Sequence, residues 1–280
     1  MTASILFGLL SALFYGVTDF LAKQSGSAAG PLRTILYGHT AAAIGFSLLV
    51  IRNGIPAAPT ETCLWTILSI ASNLAATALL YTALRAGSLS VVAPIAASYG
   101  GVSAVLAAMA GEYLAPLGWA GLFLTLCGGL ALTRAGHAGP QAGSGGLWHA
   151  TAAALLYGLG FWVQGELVIP SLGVIVPTWA YYVSGALASL IVVWKARVPL
   201  RLPARHLPLV FGTTAAAVAG TLMLALGQAA GHVAIATVMS GLASGVSVVI
   251  GSLLLREPLS RLGIAGVFGL LAGLALLHAA

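Results

Sequence analysis

The sequence carries too little charge for a soluble protein of its size. Only 6% of its 280 residues are charged and 60% are apolar, whereas an ordinary soluble domain carries about 25% charged residues. So few charged side chains cannot cover the surface of a globule of this length. Because a helix that crosses a bilayer needs roughly 20 apolar residues, the composition indicates an integral membrane protein with almost no soluble domain.

Other absences exclude several functional classes. The two cysteines, Cys63 and Cys127, lie in or beside apolar stretches, so we expect neither a disulfide framework nor a metal site. The net charge is +6, but no basic cluster is interleaved with aromatic residues, which argues against nucleic acid as a partner. The motifs G-x-x-x-x-G-K-[ST], H-E-x-x-H and G-x-S-x-G are missing. We therefore expect no ATP-driven pump, no enzyme and no cofactor.

Charged, glycine and proline residues divide the chain into ten apolar stretches. Each is long enough to cross a bilayer as a helix. A polar, glycine-rich break at residues 137–146 lies near the midpoint and is interpreted as a flexible linker. The predicted spans are residues 3–22, 32–51, 63–84, 89–110, 116–134, 147–167, 174–194, 207–228, 233–255 and 261–278.

The two halves of the chain repeat each other. Residues 154–158 (ALLYG) match residues 12–16 (ALFYG), and residues 257–266 match residues 112–121. We therefore predict an all-α polytopic membrane protein with ten transmembrane helices, built as two five-helix repeats over residues 1–136 and 147–280. An odd number of helices in each repeat means that the second repeat enters the membrane from the opposite side, so the repeats are inverted.

The distribution of basic residues predicts the topology. Ten of the eleven Lys and Arg residues lie in odd-numbered connections, and only Arg52 lies in an even one. Because cytoplasmic loops are enriched in Lys and Arg, we expect a multi-pass protein of the cell membrane, the inner membrane in a bacterium, with both termini extracytoplasmic. Inverted repeats are typical of secondary transporters, which hold their substrate near the midplane between the repeats.

Several segments resemble a transporter family. Residues 83–94 (ALRAGSLSVVAP), 111–114 (GEYL) and 128–130 (GGL) resemble the EamA-type, ten-helix branch of the drug/metabolite transporter superfamily, and residues 256–259 (REPL) repeat the pattern. The resemblance implies an exporter of amino acids or other small metabolites, and the aromatic residues of this chain are similar to those of aromatic amino acid exporters. Pro94 predicts a kink in the fourth span that the ninth span, with Val238 at the matching position, does not share.

Three functional hypotheses remain open at this point. The leading one is export of aromatic or neutral amino acids, or similar small metabolites, by alternating access, either as a uniporter or in exchange for protons. The second is efflux of drugs or lipophilic cations. The third is a membrane channel or scaffold. Whether the protein is a monomer or a homodimer is also open.

The only aspartate of the chain, Asp19, is the first candidate for a binding residue. Tyr15, Asp19 and Lys23 are spaced to share one face of the first helix. An ionisable residue within a membrane span is costly and therefore suggests function, here contact with a substrate amino group or a proton. The alternative is an interfacial acid paired with Lys23.

Polar and aromatic side chains within the spans supply the other candidates. Stripes of small polar residues run along the third and ninth spans and indicate either helix packing or a shared cavity. Aromatic residues away from the span ends could stack on a substrate or bind an ammonium group, and His39 is a proton relay or a packing residue. The predicted substrate-binding residues are Tyr15, Asp19, His39, Asn73, Thr77, Tyr81, Tyr99, Trp162, Gln164, Ser240 and Ser244. Glu112 and Glu257 are interpreted as structural, each at the start of a helix.

Overall fold

The computed structural model describes residues 2–112, 115–136, 144–254 and 260–279, and these parts of the chain form helices and short connections without any strand. The spans are α1 (Thr2–Ala29), α2 (Pro31–Asn53), α3 (Thr60–Ala86), α4 (Leu89–Ala97) with α5 (Tyr99–Met109), α6 (Pro116–Gly136), α7 (Ser144–Val163) continued by a π-helical turn (Gln164–Val168) and α8 (Ile169–Leu172), α9 (Ile175–Lys195), α10 (Leu207–Ala229), α11 (Val233–Ser240) with α12 (Ala243–Leu254), and α13 (Arg261–Ala279). This is the predicted all-α fold of ten spans. Residues 137–143 of the predicted linker lie outside the described residues.

The first helix is longer than its apolar stretch. It continues beyond the predicted end at residue 22 to Ala29, where Gly30 adopts φ 86° and Pro31 opens α2. Glycine tolerates this left-handed conformation, and proline lacks only an N–H group that the first turn would leave unpaired. Asp19 therefore lies in the body of a continuous helix, ten residues before its end.

The helices pack in a pattern that is unchanged when the two halves are exchanged. Helix α1 packs on α10 as α7 packs on α3, while α2 pairs with α9 and α6 with α13. Single contacts match as well: a Cβ atom on Gly16 would lie 2.5 Å from the Cβ of Val246, and one on Gly158 would lie 2.5 Å from the Cβ of Val102. The described residues thus form two repeats of the same five-span unit.

The fourth and ninth spans are both broken, and at matching positions. Helix α4 ends before Ser98 and α11 ends before Gly241, so the expectation that only the span with Pro94 bends is wrong. The reason is that a break requires only local partners for the released backbone groups: the Ser98 hydroxyl donates to the Ile95 carbonyl at 2.7 Å, and Gly241 N–H donates to the Val238 carbonyl at 3.0 Å. The two breaks place irregular backbone at the centre of the bundle.

The broken spans also approach each other closely. A Cβ atom on Gly100 would lie 3.0 Å from the Cα of Val238, and one on Gly241 would lie 3.1 Å from the carbonyl oxygen of Ala97. Both distances are tighter than ordinary contact, so a larger residue at either position would require the neighbouring backbone to shift by a few tenths of an ångström. The crossing forms one wall of the central cavity, which Ala97 and Tyr99 line.

Candidate functional site

A cavity lies between the two repeats. About 120 Å³ of it is accessible to a water-sized molecule, and residues from both repeats line it. A lining that is mostly apolar with a few polar groups is typical of small-molecule sites. Eight of the eleven predicted binding residues line this cavity: Tyr15, Asp19, His39, Asn73, Thr77, Tyr81, Tyr99 and Gln164.

The other three predicted residues lie outside the lining. Trp162 packs among apolar side chains that include Val163 and Val168. The hydroxyl groups of Ser240 and Tyr99 are hydrogen-bonded, so Ser240 supports a lining residue from behind. Ser244 donates to the Gly241 carbonyl at 3.1 Å and so serves the break in the ninth span.

The cavity extends toward one face of the bundle. Thr34 at the start of α2, Tyr81 near the end of α3 and Thr213 near the start of α10 all line it. We call this the basic face, because the connections there carry most of the Lys and Arg residues, among them Arg33 and Arg205. The opposite face, which we call the sealed face, is filled by Val163, Val168, Leu172 and Val176, with Trp65 packed against them.

Asp19 is hydrogen-bonded to a serine of the opposite repeat. Its Oδ2 atom accepts a hydrogen bond of 2.9 Å from the hydroxyl of Ser247, which is buried on α12. The carboxylate is an acceptor that lines the cavity on the basic side of Tyr15, one helical turn away. Its position lets it accept a proton or pair with a cation that enters from the basic face.

Two threonine hydroxyls organise the aromatic side chains around the cavity. Thr77 Oγ1 lies 2.9 Å from the hydroxyl of Tyr157 and 2.8 Å from that of Tyr181. Thr221 Oγ1 accepts from Tyr15 at 3.1 Å and lies 3.5 Å from the hydroxyl of Tyr182. The two threonines occupy matching positions in the two repeats, so each repeat supplies one.

Ring contacts join these pairs into a closed belt around the cavity. Tyr181 and Tyr182 have ring centroids 5.0 Å apart, Phe161 stacks on Tyr157 at 5.3 Å, and Phe161 lies 6.4 Å from Tyr15. We call these five rings, together with Thr77 and Thr221, the aromatic belt. All five rings line the cavity, and aromatic rings favour flat apolar groups and ammonium ions.

The sequence reasoning missed most of this belt. Tyr157, Phe161, Tyr181 and Tyr182 were not predicted, although all four line the cavity. One available signal was the repeat itself, because Tyr157 occupies the position that Tyr15 has in the first repeat. No such signal marks Tyr181 and Tyr182, which stand in the seventh span like any other interior aromatic residues.

Glycines on neighbouring helices make room for the polar side chains of the cavity. A Cβ atom on Gly160 would lie 2.6 Å from Asn73 Nδ2 and 2.9 Å from its Oδ1, so the amide lies flat on this glycine. His39 rests on Gly185 in the same way, and its Nδ1 atom lies 2.9 Å from the Ile35 carbonyl. These side chains are therefore fixed by close packing as well as by hydrogen bonds.

Three of the buried polar atoms in lining residues have no hydrogen-bond partner among the described residues. They are His39 Nε2, Asn73 Oδ1 and Gln164 Nε2. Buried polar groups are usually paired. These three atoms have less than 1 Å² of exposed surface each, so a ligand can pair with them only if a neighbouring side chain shifts. Across the parts of the chain that the structure describes, no three His, Cys, Asp or Glu side chains come together as a metal site.

Glu112 was expected to stabilise the start of the fifth span in its own repeat. It instead contacts the start of α11 in the second repeat. Its Oε2 atom accepts from the backbone N–H of Ala234, near the start of α11, at 3.4 Å. Partial burial raises the pKa of Glu112, and the nearby Glu166 acts in the same direction. Glu257, the matching residue, lies outside the described residues.

A family model matches the first repeat. Residues 2–134 match the model of the EamA-like transporter family, which confirms the resemblance to the EamA-type branch. The alignment with one solved crystal structure covers 98% of this chain and 98% of the other protein's chain, with a TM-score of 0.77 and 18% sequence identity. At this identity the likeness shows the fold alone. Comparison with curated proteins gives no match.

Proposed function

We propose that the protein is a membrane transporter that exports neutral or aromatic amino acids, or similar small amine-bearing metabolites, by alternating access. The match of residues 2–134 to the EamA-like transporter family supports transport as the activity. The observation that carries this proposal is a cavity between inverted repeats that combines a single carboxylate with an aromatic belt. An amine pairs with the carboxylate while its apolar or aromatic body packs on the rings.

The sides of the membrane follow from the charges. The cavity extends toward the face with most of the Lys and Arg residues, which the positive-inside rule assigns to the cytoplasm. The described conformation is then the one that loads a solute from the cell interior, and both termini are extracytoplasmic. Export requires that the sealed face opens while the basic face closes around the aromatic belt.

The repeat symmetry supplies a physical route for this exchange. Since α1 packs on α10 as α7 packs on α3, a second conformation can form in which each repeat adopts the arrangement now held by the other. The broken fourth and ninth spans cross near the cavity, where small rotations of their halves alter access. No large domain has to move.

Efflux of lipophilic cations is a second candidate. It is favoured by the charge of the lining, in which Asp19 is the one acid and no Lys or Arg occurs among the described lining residues. A cation with an apolar body needs no further polar contact, whereas an amino acid also brings a carboxylate. A channel is less well supported, because the described sealed face is packed with apolar side chains.

The test is solute flux in proteoliposomes, with labelled phenylalanine, threonine and a lipophilic cation, each with and without a pH gradient. Saturable flux of phenylalanine or threonine, competed by the unlabelled solute, would establish an amino acid carrier. The response to the gradient separates uniport from proton exchange. Movement of the cation alone would replace the amino acid proposal with the second candidate.

A further inference from the structure

The charges and unpaired polar atoms of the cavity indicate which class of solute it binds. This inference depends on the proposed transport function. We infer that the cavity is built for a protonated amine whose other polar group is uncharged, such as a hydroxyl or a carboxamide, in preference to a free amino acid. The inference draws on charge, on hydrogen-bonding capacity and on the aromatic belt.

The first argument is the charge balance of the cavity. The lining has a carboxylate at Asp19 and, among the described lining residues, no Lys or Arg. In a partly desolvated site, the ammonium group of a solute is stabilised by Asp19. The carboxylate of a free amino acid finds no cation there and is repelled by Asp19. An amine without a carboxylate avoids this cost.

The second argument is the hydrogen-bonding capacity that the protein leaves unused. Asn73 Nδ2 donates to the Ser69 carbonyl at 3.0 Å and lies 3.3 Å from the Ser69 hydroxyl, so Oδ1 remains as an unpaired acceptor. Gln164 Nε2 is an unpaired donor. Since the Ile35 carbonyl accepts from His39 Nδ1, the Nε2 atom of the neutral ring is a further acceptor.

A carboxylate fits this set of atoms poorly. It could accept from Gln164, but it has no proton to offer to Asn73 Oδ1 or to His39 Nε2. A hydroxyl or a carboxamide both donates and accepts, so it can pair with a donor such as Gln164 Nε2 or with an acceptor such as Asn73 Oδ1. Leaving buried polar atoms unpaired costs binding free energy, and a group that pairs them is favoured.

The aromatic belt discriminates in the same direction. The rings of the belt line the cavity, and the negative part of an aromatic quadrupole attracts an ammonium ion and disfavours a carboxylate. Because two threonine hydroxyls already bind the tyrosine hydroxyls, those groups are less available to donate to an anion. The belt therefore accommodates the apolar body and the cation.

A series of ligands with one shared skeleton tests the inference directly. Phenylalaninol, phenylalaninamide, phenethylamine, phenylalanine and 3-phenylpropionate differ only in the groups that the arguments concern. Binding to the purified full-length protein would be measured by calorimetry at about pH 6, where the amines are protonated. We expect phenylalaninol and phenylalaninamide to bind at least about tenfold more tightly than phenylalanine, and 3-phenylpropionate not to bind.

Two variants identify the responsible groups. Asp19→Asn should remove binding of all the amines, and Asn73→Leu should abolish the advantage of phenylalaninol over phenethylamine. Ser72→Ala is the matched control, because Ser72 is buried on the same helix but does not line the cavity. The comparison of ligands on the unaltered protein stands even if one of these variants fails to fold.

The outcomes separate this inference from the proposed function. If phenylalanine binds as tightly as phenylalaninol and is transported in proteoliposomes, the inference is overturned while amino acid transport stands. If the neutral-group amines bind and move preferentially, both hold. If none of the five compounds binds and none is transported, the inference falls together with the proposed solute class.

Discussion

Tyr15 and Tyr157 occupy matching places in the two repeats, and so do Thr77 and Thr221, which bind their hydroxyls. The carboxylate and amide side chains of the cavity show no such pairing. Asp19 matches Phe161, and Asn73 matches an alanine, Ala217. The repeats thus share the scaffold that frames the cavity, whereas the groups that would bind a polar solute occur in one copy only.

A pair of serines makes the difference plain. Ser247 donates to Asp19, whereas its counterpart Ser103 has no hydrogen-bond partner among the described residues, since Phe161 stands where an acid would be. In the proposed alternating-access cycle, the symmetry of the repeats serves the exchange between conformations. Its local loss gives the cavity a polar end on the side of Asp19. Four predictions test this division, in order of decreasing effect.

The largest effect is expected from Asp19→Asn, compared with Phe161→Leu at the matching position. Removing the carboxylate eliminates the ion pair with an amine, which costs about 3 kcal/mol or more and should reduce flux at least about 100-fold. Phe161→Leu keeps an apolar side chain and should reduce flux only a few-fold. Initial rates in proteoliposomes measure both, with thermal unfolding as the check on folding. Equal effects would remove Asp19 from its special role.

Gly160→Ala should have the next largest effect, with Thr18→Ala as its counterpart. A Cβ atom at Gly160 would collide with the amide of Asn73, so we expect a loss of about 1–3 kcal/mol of stability. Thr18 binds only the Phe14 carbonyl of its own helix at 2.8 Å, and its truncation should cost less than about 1 kcal/mol. Melting temperatures in detergent measure the difference, and a fully stable Gly160→Ala protein would contradict the packing described for Asn73.

The two threonines of the belt should differ slightly. Thr77→Val removes contacts of 2.9 and 2.8 Å, and Thr221→Val removes contacts of 3.1 and 3.5 Å. Each should cost about 1–3 kcal/mol because tyrosine hydroxyls lose a partner, with the greater loss for Thr77. Melting temperatures and solute affinities of the two variants provide the comparison. No loss in either variant would show that the hydroxyl contacts do not hold the rings.

Glu112→Gln should have the smallest effect, seen only in the dependence of stability on pH. Because burial raises the pKa of Glu112, the folded protein holds this proton more tightly than the unfolded chain does. The contribution of Glu112 to the free energy of unfolding is fully present below the ordinary glutamate pKa. It is lost as the pH rises through the raised pKa of Glu112 in the folded protein. The variant should therefore show a flatter profile of melting temperature against pH in that range. An unchanged slope would mean that Glu112 does not titrate differently on folding.

The fold could be predicted because its signals are repeated along the whole chain. Ten apolar stretches and an inverted repeat follow from hydropathy, residue spacing and charge, and the structure has these spans. Asp19 and Asn73 stood out because a polar residue in an apolar span is rare. Tyr181 and Tyr182 did not stand out, since interior aromatic residues are equally common in packing and in lipid-facing positions.

The break in the ninth span escaped prediction for a different physical reason. A proline in the sequence predicts a helix break. The break at Gly241 depends instead on the close crossing of another backbone and on local hydrogen bonds. Those are tertiary features. The boundary between α1 and α2 is set by Gly30 and Pro31, which apolar content alone does not locate.

The central claim is that one cavity, open to alternate sides, carries a small amine-bearing solute across the membrane. The most direct measurement is uptake of labelled phenylalanine or phenylalaninol into proteoliposomes that are either empty or loaded with the unlabelled solute. The account predicts that loading accelerates uptake, because the carrier returns faster when occupied, and that Asp19→Asn abolishes the acceleration. Uptake that is rapid, does not saturate and is indifferent to loading would contradict alternating access and favour a channel.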